Sequence, residues 1–215
     1  MNNSDAYPNH RVPNTPAYQF NGQQLVSDQV SKEDVGVVWR ELARILRHNV
    51  PGDVVEFGCY VGTTSLFIRR LLGSQKVLHV YDSFAGLPPK SSQDASAAGA
   101  DFTAGKLSVN KKELLQQFRA ANLAPPVIHK GWFEDLTPAD VPDRIAFAFL
   151  DGDFYHSILT SLKLVWPRLQ PGGAVLIDDY KRPELPGVER AVADFFRSQP
   201  MPRLRVEHNI AIIEV

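Results

Sequence analysis

The chain has 215 residues, with 23 Lys and Arg against 24 Asp and Glu, a formal charge of −1 at pH 7. So even a balance offers no basic field for nucleic acid or an anionic membrane surface. The one cysteine, Cys59, excludes an internal disulfide, and no apolar run reaches the roughly 18 residues of a membrane span, so one cored α/β domain in the cytoplasm is expected.

Residues 1–30, rich in Asn, Gln and Pro, are expected to form a mobile arm with a late anchoring patch at Tyr18, Phe20, Leu25 and Val26. Residues 31–215 then form a single domain. Ser31 followed by Asp34 predicts a capped helix whose apolar stripe, Val35, Val38, Trp39, Leu42, Ile45 and Leu46, faces the core. Asp53 to Phe57 reads as a buried strand that ends in an acid, Glu56, and turns through Gly58 and Gly62 into a helix over 63–72. A second strand, Val77 to Asp82, also ends in an acid.

The long Ala/Ser/Gly stretch that follows, to Gly105, is expected to be a lid that orders on ligand binding. A helix over 111–122, a strand over 127–132, a strand over 145–150 and a helix over 155–168 come next. Gln170-Pro171-Gly172-Gly173 reads as a turn into a strand over 174–177, followed by a helix over 188–198 and two short strands at 204–207 and 210–213. Strands alternating with helices predict an α/β fold with a doubly wound, mostly parallel seven-stranded sheet and an antiparallel edge pair at the C-terminus.

In such sheets ligands sit beyond the carboxyl ends of the strands, at the switch in strand order. Glu56, Asp82, Asp151, Asp153, Asp178 and Asp179 all fall there. Neighbouring strands lie about 4.8 Å apart, so Asp151 and Asp178 would emerge side by side with Asp179 one residue beyond. Carboxylates this close repel unless a positive charge sits among them, and a hard divalent cation such as Mg²⁺ is the natural partner for an all-oxygen set. Asp82 is placed to accept hydrogen bonds from a ribose; its plain alternative is a residue that opens a turn.

Five stretches carry a more specific signal: Gly52–Gly58, Tyr81–Pro88, Lys130–Asp135, Leu150–Tyr155 and Ile177–Tyr180. In this order they resemble the successive motifs of the macrocin O-methyltransferase family, class I methyltransferases that use S-adenosylmethionine (SAM) and Mg²⁺ to methylate sugar hydroxyls. The resemblance implies a cofactor site around Glu56, Gly58, Tyr60, Gly62, Thr63, Asp82, Ser83, Gly131, Trp132 and Asp151, with Trp132 near the adenine. It implies Asp151, Asp178 and Asp179 as metal ligands, and Asp153 with Asp151 as the catalytic residues, Asp153 being the candidate general base. Family members carry an apolar-Trp-Arg-Gly-Gly run after the first motif glycine; here Cys59-Tyr60-Val61-Gly62-Thr63 stands instead, so the contacts of that Arg are not expected.

The expected function is SAM- and Mg²⁺-dependent methyl transfer to a hydroxyl of a sugar or another vicinal-diol small molecule, with the oligomeric state open between monomer and homodimer. His156 and His208 are weaker candidates for the base, and Cys59 reads as small filler. Three rivals stand beside this reading. An NAD-type oxidoreductase lacks the third glycine of its fingerprint, a metal-dependent phosphohydrolase leaves Glu56, Gly58 and Asp82 without a task, and a SAM-binding protein without catalysis would share the same motifs.

Overall fold

The computed structural model describes residues 19, 20, 22–200 and 202–215. A short hairpin, β1 (Gln19–Phe20) with β2 (Gln23–Gln24), precedes α1 (Lys32–Arg47). The capping box predicted for α1 is present: the Asp34 N–H donates to Ser31 Oγ at 3.0 Å, and the Ser31 N–H donates to Asp34 Oδ2 at 3.2 Å. Then come β3 (Asp53–Phe57), α2 (Thr63–Leu72), β4 (Leu78–Asp82), α3 (Lys111–Ala120), β5 (Val127–Lys130), β6 (Ile145–Leu150), α4 (Tyr155–Val165), β7 (Leu169–Ile177), α5 (Pro186–Phe196), β8 (Leu204–Glu207) and β9 (Ile210–Glu214). Among the described residues no helix is long and apolar enough to cross a membrane.

Seven strands form one sheet in the order β5-β4-β3-β6-β7-β9-β8, with β9 antiparallel to both of its neighbours and the other pairs parallel. The alternation of side chains along each strand divides the core in two. Val54, Val80, Phe147, Phe149 and Leu176 pack on the side of α1, α2 and α3, whereas Val55, Phe57, Tyr81, Ala148, Leu150 and Val175 pack on the side of α4 and α5. Every residue of β6 is buried, as its unbroken apolar run requires. The chain leaves β3 for β4 and β5 on one side and later lays β6 and β7 on the other. The order therefore switches between β3 and β6, which opens a crevice at their carboxyl ends.

Several boundaries differ from the sequence expectation. β7 begins at Leu169, so Gln170–Gly173 is strand, and the pairing with β6 shifts register between Ile145 and Phe147 to absorb it. Pro167 stops α4 at Val165 and leaves one 3₁₀ turn over Trp166–Arg168. Pro186 starts α5 two residues early, in the first helical turn, where a missing N–H costs nothing. The expected arm to residue 18 lies outside the described residues. From Gln23 onward the chain is packed down: Leu25 and Val30 form a small core with Val35 and Phe67, flanked by Trp39.

The stretch expected to be a lid without a core of its own has a buried anchor. Asp94, in a 3₁₀ turn over Ser92–Asp94, accepts from the Tyr155 N–H at the start of α4 (2.7 Å) and from the Ser91 N–H (2.9 Å). A Cβ on Gly187 would meet Asp94 Oδ1 at 1.9 Å, so α5 closes against the same carboxylate. Ser96 Oγ and Arg190 add bonds to Pro183 O and Gln93 O. Asp94→Ala is expected to destabilise the fold by about 1.5–3 kcal/mol, the worth of charge-assisted bonds to a buried carboxylate. Amide hydrogen exchange should locate the loss of protection in residues 91–105; unchanged exchange there would show that the loop is held elsewhere.

Candidate active site

Strand register sets the site. Phe57 pairs with Leu150, and Leu150 with Ile177. The residues just beyond, Gly58, Asp151 and Asp178, therefore emerge side by side: the Asp151 N–H donates to Phe57 O (2.8 Å) and the Asp178 N–H to Leu150 O (2.9 Å). This is the juxtaposition expected from the sequence. Gly58 is required here, since its φ is +84° and a Cβ would lie 1.9 Å from Asp151 O.

Asp82 closes the first turn from the neighbouring strand. Its Oδ2 accepts from the N–H groups of Cys59 (2.9 Å) and Tyr60 (3.1 Å), and its Oδ1 accepts from the N–H of Phe84 (2.7 Å). A carboxylate has about four acceptor sites, so three are spent on backbone. Asp82 thus carries both meanings weighed at the sequence level, a turn residue and a carboxylate facing the main cleft. Asp82→Ala is expected to weaken SAM binding at least about tenfold, through lost charged bonds to ribose and a loosened glycine turn. Asp82→Asn separates the two, because it keeps one oxygen acceptor; equal affinities for SAM in wild type and Asp82→Ala, by calorimetric titration, would remove this residue from the site.

One cleft is lined by Gly58, Tyr60, Asp82, Ser83, Trp132, Asp151, Asp153, Asp178 and Asp179. The glycine turn and the acidic cluster therefore share a single space. Trp132 is among the few large hydrophobic residues left exposed, while the next residue, Phe133, is buried edge-on against Phe57. Glu56 and Thr63 instead line a smaller adjoining cavity, together with Ser27, Cys59 and Tyr60, and Asp151 stands between the two. Thr63 Oγ1 lies 3.0 Å from Ser27 Oγ, which ties the N-terminal segment to the start of α2. Two expected cofactor residues line neither cavity. Gly62 opens α2 against Leu114, and the Gly131 N–H is spent on Asp82 O.

Carboxylate oxygens of Asp151, Asp153 and Asp179 lie within 4.8 Å of one another. Asp153, expected as the base, thus sits among the expected metal ligands. Asp178 lines the same cleft and its Oδ1 accepts from the Asp179 N–H at 3.0 Å. Asp153 and Asp179 both hold left-handed backbone, with φ of 59° and 56°, an uncommon state for a residue with a side chain and one that aims both inward. Burial, followed by repulsion from neighbouring carboxylates, raises the pKa of Asp151 and Asp178 well above the ordinary range. The same causes, with Asp179 the leading neighbour, push Asp153 up to about 8. Glu56 also rises to about 8, mainly by burial, although Ser65 donates to it. Burial likewise raises the Cys59 thiol, in keeping with its reading as filler.

A hard divalent cation fits this donor set: several oxygens, no nitrogen or sulfur ligand, and buried negative charge in want of a counter-charge. The chain matches the Macrocin-O-methyltransferase (TylF) family over residues 29–207. It belongs to that family. It is 35% identical over 146 residues to a tetracenomycin rhamnosyl 4'-O-methyltransferase of Streptomyces olivaceus, covering 63% of this chain and 56% of that one. It is 32% identical over 162 residues to mycinamicin III 3''-O-methyltransferase of Micromonospora griseorubida, covering 70% of this chain and 62% of that one. The matches thus span little more than half the length of these relatives. In fold it is similar to the O-methyltransferase NovP, with a TM-score of 0.74 at 23% identity over 90% of this chain and 83% of that one.

Sequence reading missed part of the cleft. Leu107 comes from just past the long loop, whose Phe102, a residue that pointed to a lid, also lines the cleft; Gln29 comes from the N-terminal segment and Arg182 from the turn after β7. None stands in a periodic pattern, so only the fold brings them in. Arg182 is the notable one, since its Nη1 donates to Asp179 Oδ1 at 3.0 Å.

Proposed function

We propose that this protein transfers a methyl group from SAM to a hydroxyl of a sugar carried by a small molecule, with a divalent cation at Asp151, Asp178 and Asp179. The observation that carries the reading is the one cleft in which the Asp82 and Trp132 end meets the carboxylates of β6 and β7. Family membership and relatives named for methylating glycosyl groups support it. The NAD and phosphohydrolase readings have no such support. A SAM-binding protein without catalysis is distinguished by the transfer assay below.

Within the cleft the residues divide by task. Asp82 and the Gly58 turn orient the nucleoside, and the exposed Trp132 ring offers a face to the adenine. When bound, SAM supplies an electrophilic sulfonium methyl, and the cation supplies positive charge that lowers the pKa of a nearby hydroxyl. Asp153 takes the hydroxyl proton; a pKa near 8 keeps its carboxylate basic enough to do so near neutral pH. Phe102 and Leu107 wall the cleft against water, and alignment of oxygen, methyl and sulfur supplies much of the rate.

The test is transfer of a radiolabelled methyl group from SAM to a panel of glycosylated acceptors, with and without a chelator. Label should appear in a sugar O-methyl group in the presence of Mg²⁺. SAM binding by calorimetry with no transfer to any acceptor in the panel would favour the non-catalytic reading. Full transfer in excess chelator would remove the metal from the mechanism.

A further inference from the structure

We propose that Arg182 is the resident counter-cation of the acidic cluster, which a divalent ion must displace from Asp179, so that this residue sets how tightly the ion is held. The inference rests on the metal-dependent reading above. Asp151, Asp153, Asp178 and Asp179 line one cleft with Arg182, which reaches Asp179 through Nη1 to Oδ1 at 3.0 Å.

The geometry favours displacement over a permanent clamp. Arg182 lies three residues beyond Asp179 in one turn, closed by its own N–H to Asp179 O at 3.2 Å, so the side chain can swing without moving the backbone. Two partners outside the cluster already hold it: Nε is 3.7 Å from Glu184 Oε2, and the guanidinium carbon is 5.6 Å from the centre of the Phe102 ring. An ion that takes the Asp179 oxygens brings two positive charges close to the guanidinium. Repulsion then drives Arg182 back onto Glu184 and Phe102, where its charge and its flat face stay satisfied. Because Phe102 belongs to the loop anchored by Asp94, the retreat strengthens a contact that already joins the turn after β7 to the wall of the cleft.

The test is titration of the full chain with Mn²⁺, followed by calorimetry or electron paramagnetic resonance, for wild type, Arg182→Gln and Arg182→Lys. Arg182→Gln should bind Mn²⁺ about tenfold more tightly, the equivalent of one charge-assisted bond that the ion no longer displaces, with SAM affinity unchanged. Arg182→Lys should fall between. Equal or weaker Mn²⁺ binding by Arg182→Gln would overturn the inference and make Arg182 a clamp that orients Asp179. A wild type that binds no Mn²⁺ would sink the metal-dependent reading itself, and with it the inference. Should Arg182→Gln fail to fold, the arginine Nε–Hε resonance of Arg182 in wild type decides, since Mg²⁺ should shift it and an unmoved resonance contradicts displacement.

Discussion

Asp153→Asn is expected to lower the rate constant for methyl transfer by about 10²–10⁴-fold, the range for losing a general base, while SAM affinity stays within about twofold. The substitution preserves shape and one oxygen acceptor but cannot take a proton. In wild type the base works only as a carboxylate. With its pKa pushed up to about 8 by burial and by Asp179, the rate should rise with pH through that region. A cation bound among the same carboxylates favours the ionised form, so Mg²⁺ should move this limb to lower pH. In Asp153→Asn the limb should vanish. Since Asp153 lies with Asp151 and Asp179, the variant's Mn²⁺ affinity has to be measured alongside; a rate loss that tracks lost metal would assign Asp153 to the ion. Full activity would pass the proton to His156, His208 or solvent.

How much of this was legible in the sequence follows from range of interaction. The strands, the α1 cap and the side-by-side emergence of Asp151 and Asp178 were readable, because they depend on local pattern and on parallel strands paired in register. Apolar runs identified β3 and β6, and an acid at the end of each strand marked the crevice. The start of β7 was missed because Gly172 and Gly173 look like a turn, whereas Leu169 and Ala174 on either side of them pair with Ile145 and Phe147 of β6, and the two glycines bulge between and bond to Val215. The anchoring of the loop was missed because Asp94 sits in a featureless polar run; its partner, the Tyr155 N–H, is 61 residues away. Arg182 was missed for the opposite reason: it lies three residues from Asp179, a separation that draws notice within a helix and none in a turn.

Asp151→Asn should produce a protein that is more stable than wild type without metal and yet loses cation binding. Asp151 stands between the two cavities, half-buried and facing Asp178, Asp153, Asp179 and Glu56, so its ionised form is opposed first by lost solvation and then by four neighbours. A carboxyl whose folded pKa is raised adds stability that is fully present below its unfolded pKa and is lost as pH rises through the folded value. Cation-free wild type should therefore melt at progressively lower temperature as pH rises from about 4, where the unfolded carboxyls ionise, to about 8, the folded value of the neighbouring Asp153 and Glu56. The neutral pair His79 and His129, their pKa values lowered mainly by burial, cuts the other way below about pH 6.5, where the unfolded chain binds more protons. Asp151→Asn removes a repelled charge and should flatten the high-pH slope, raising the melting temperature near pH 8 by about 2–4 °C for each kcal/mol relieved. Mg²⁺ should raise the melting point of wild type by satisfying the same charges, and leave the variant where it was. The charge that Asp151 places in the cation-free cluster would then be the charge that holds the ion. A cation-free variant that melts below wild type at pH 8, or one that still gains stability from Mg²⁺, would show that the cluster is held together by other means.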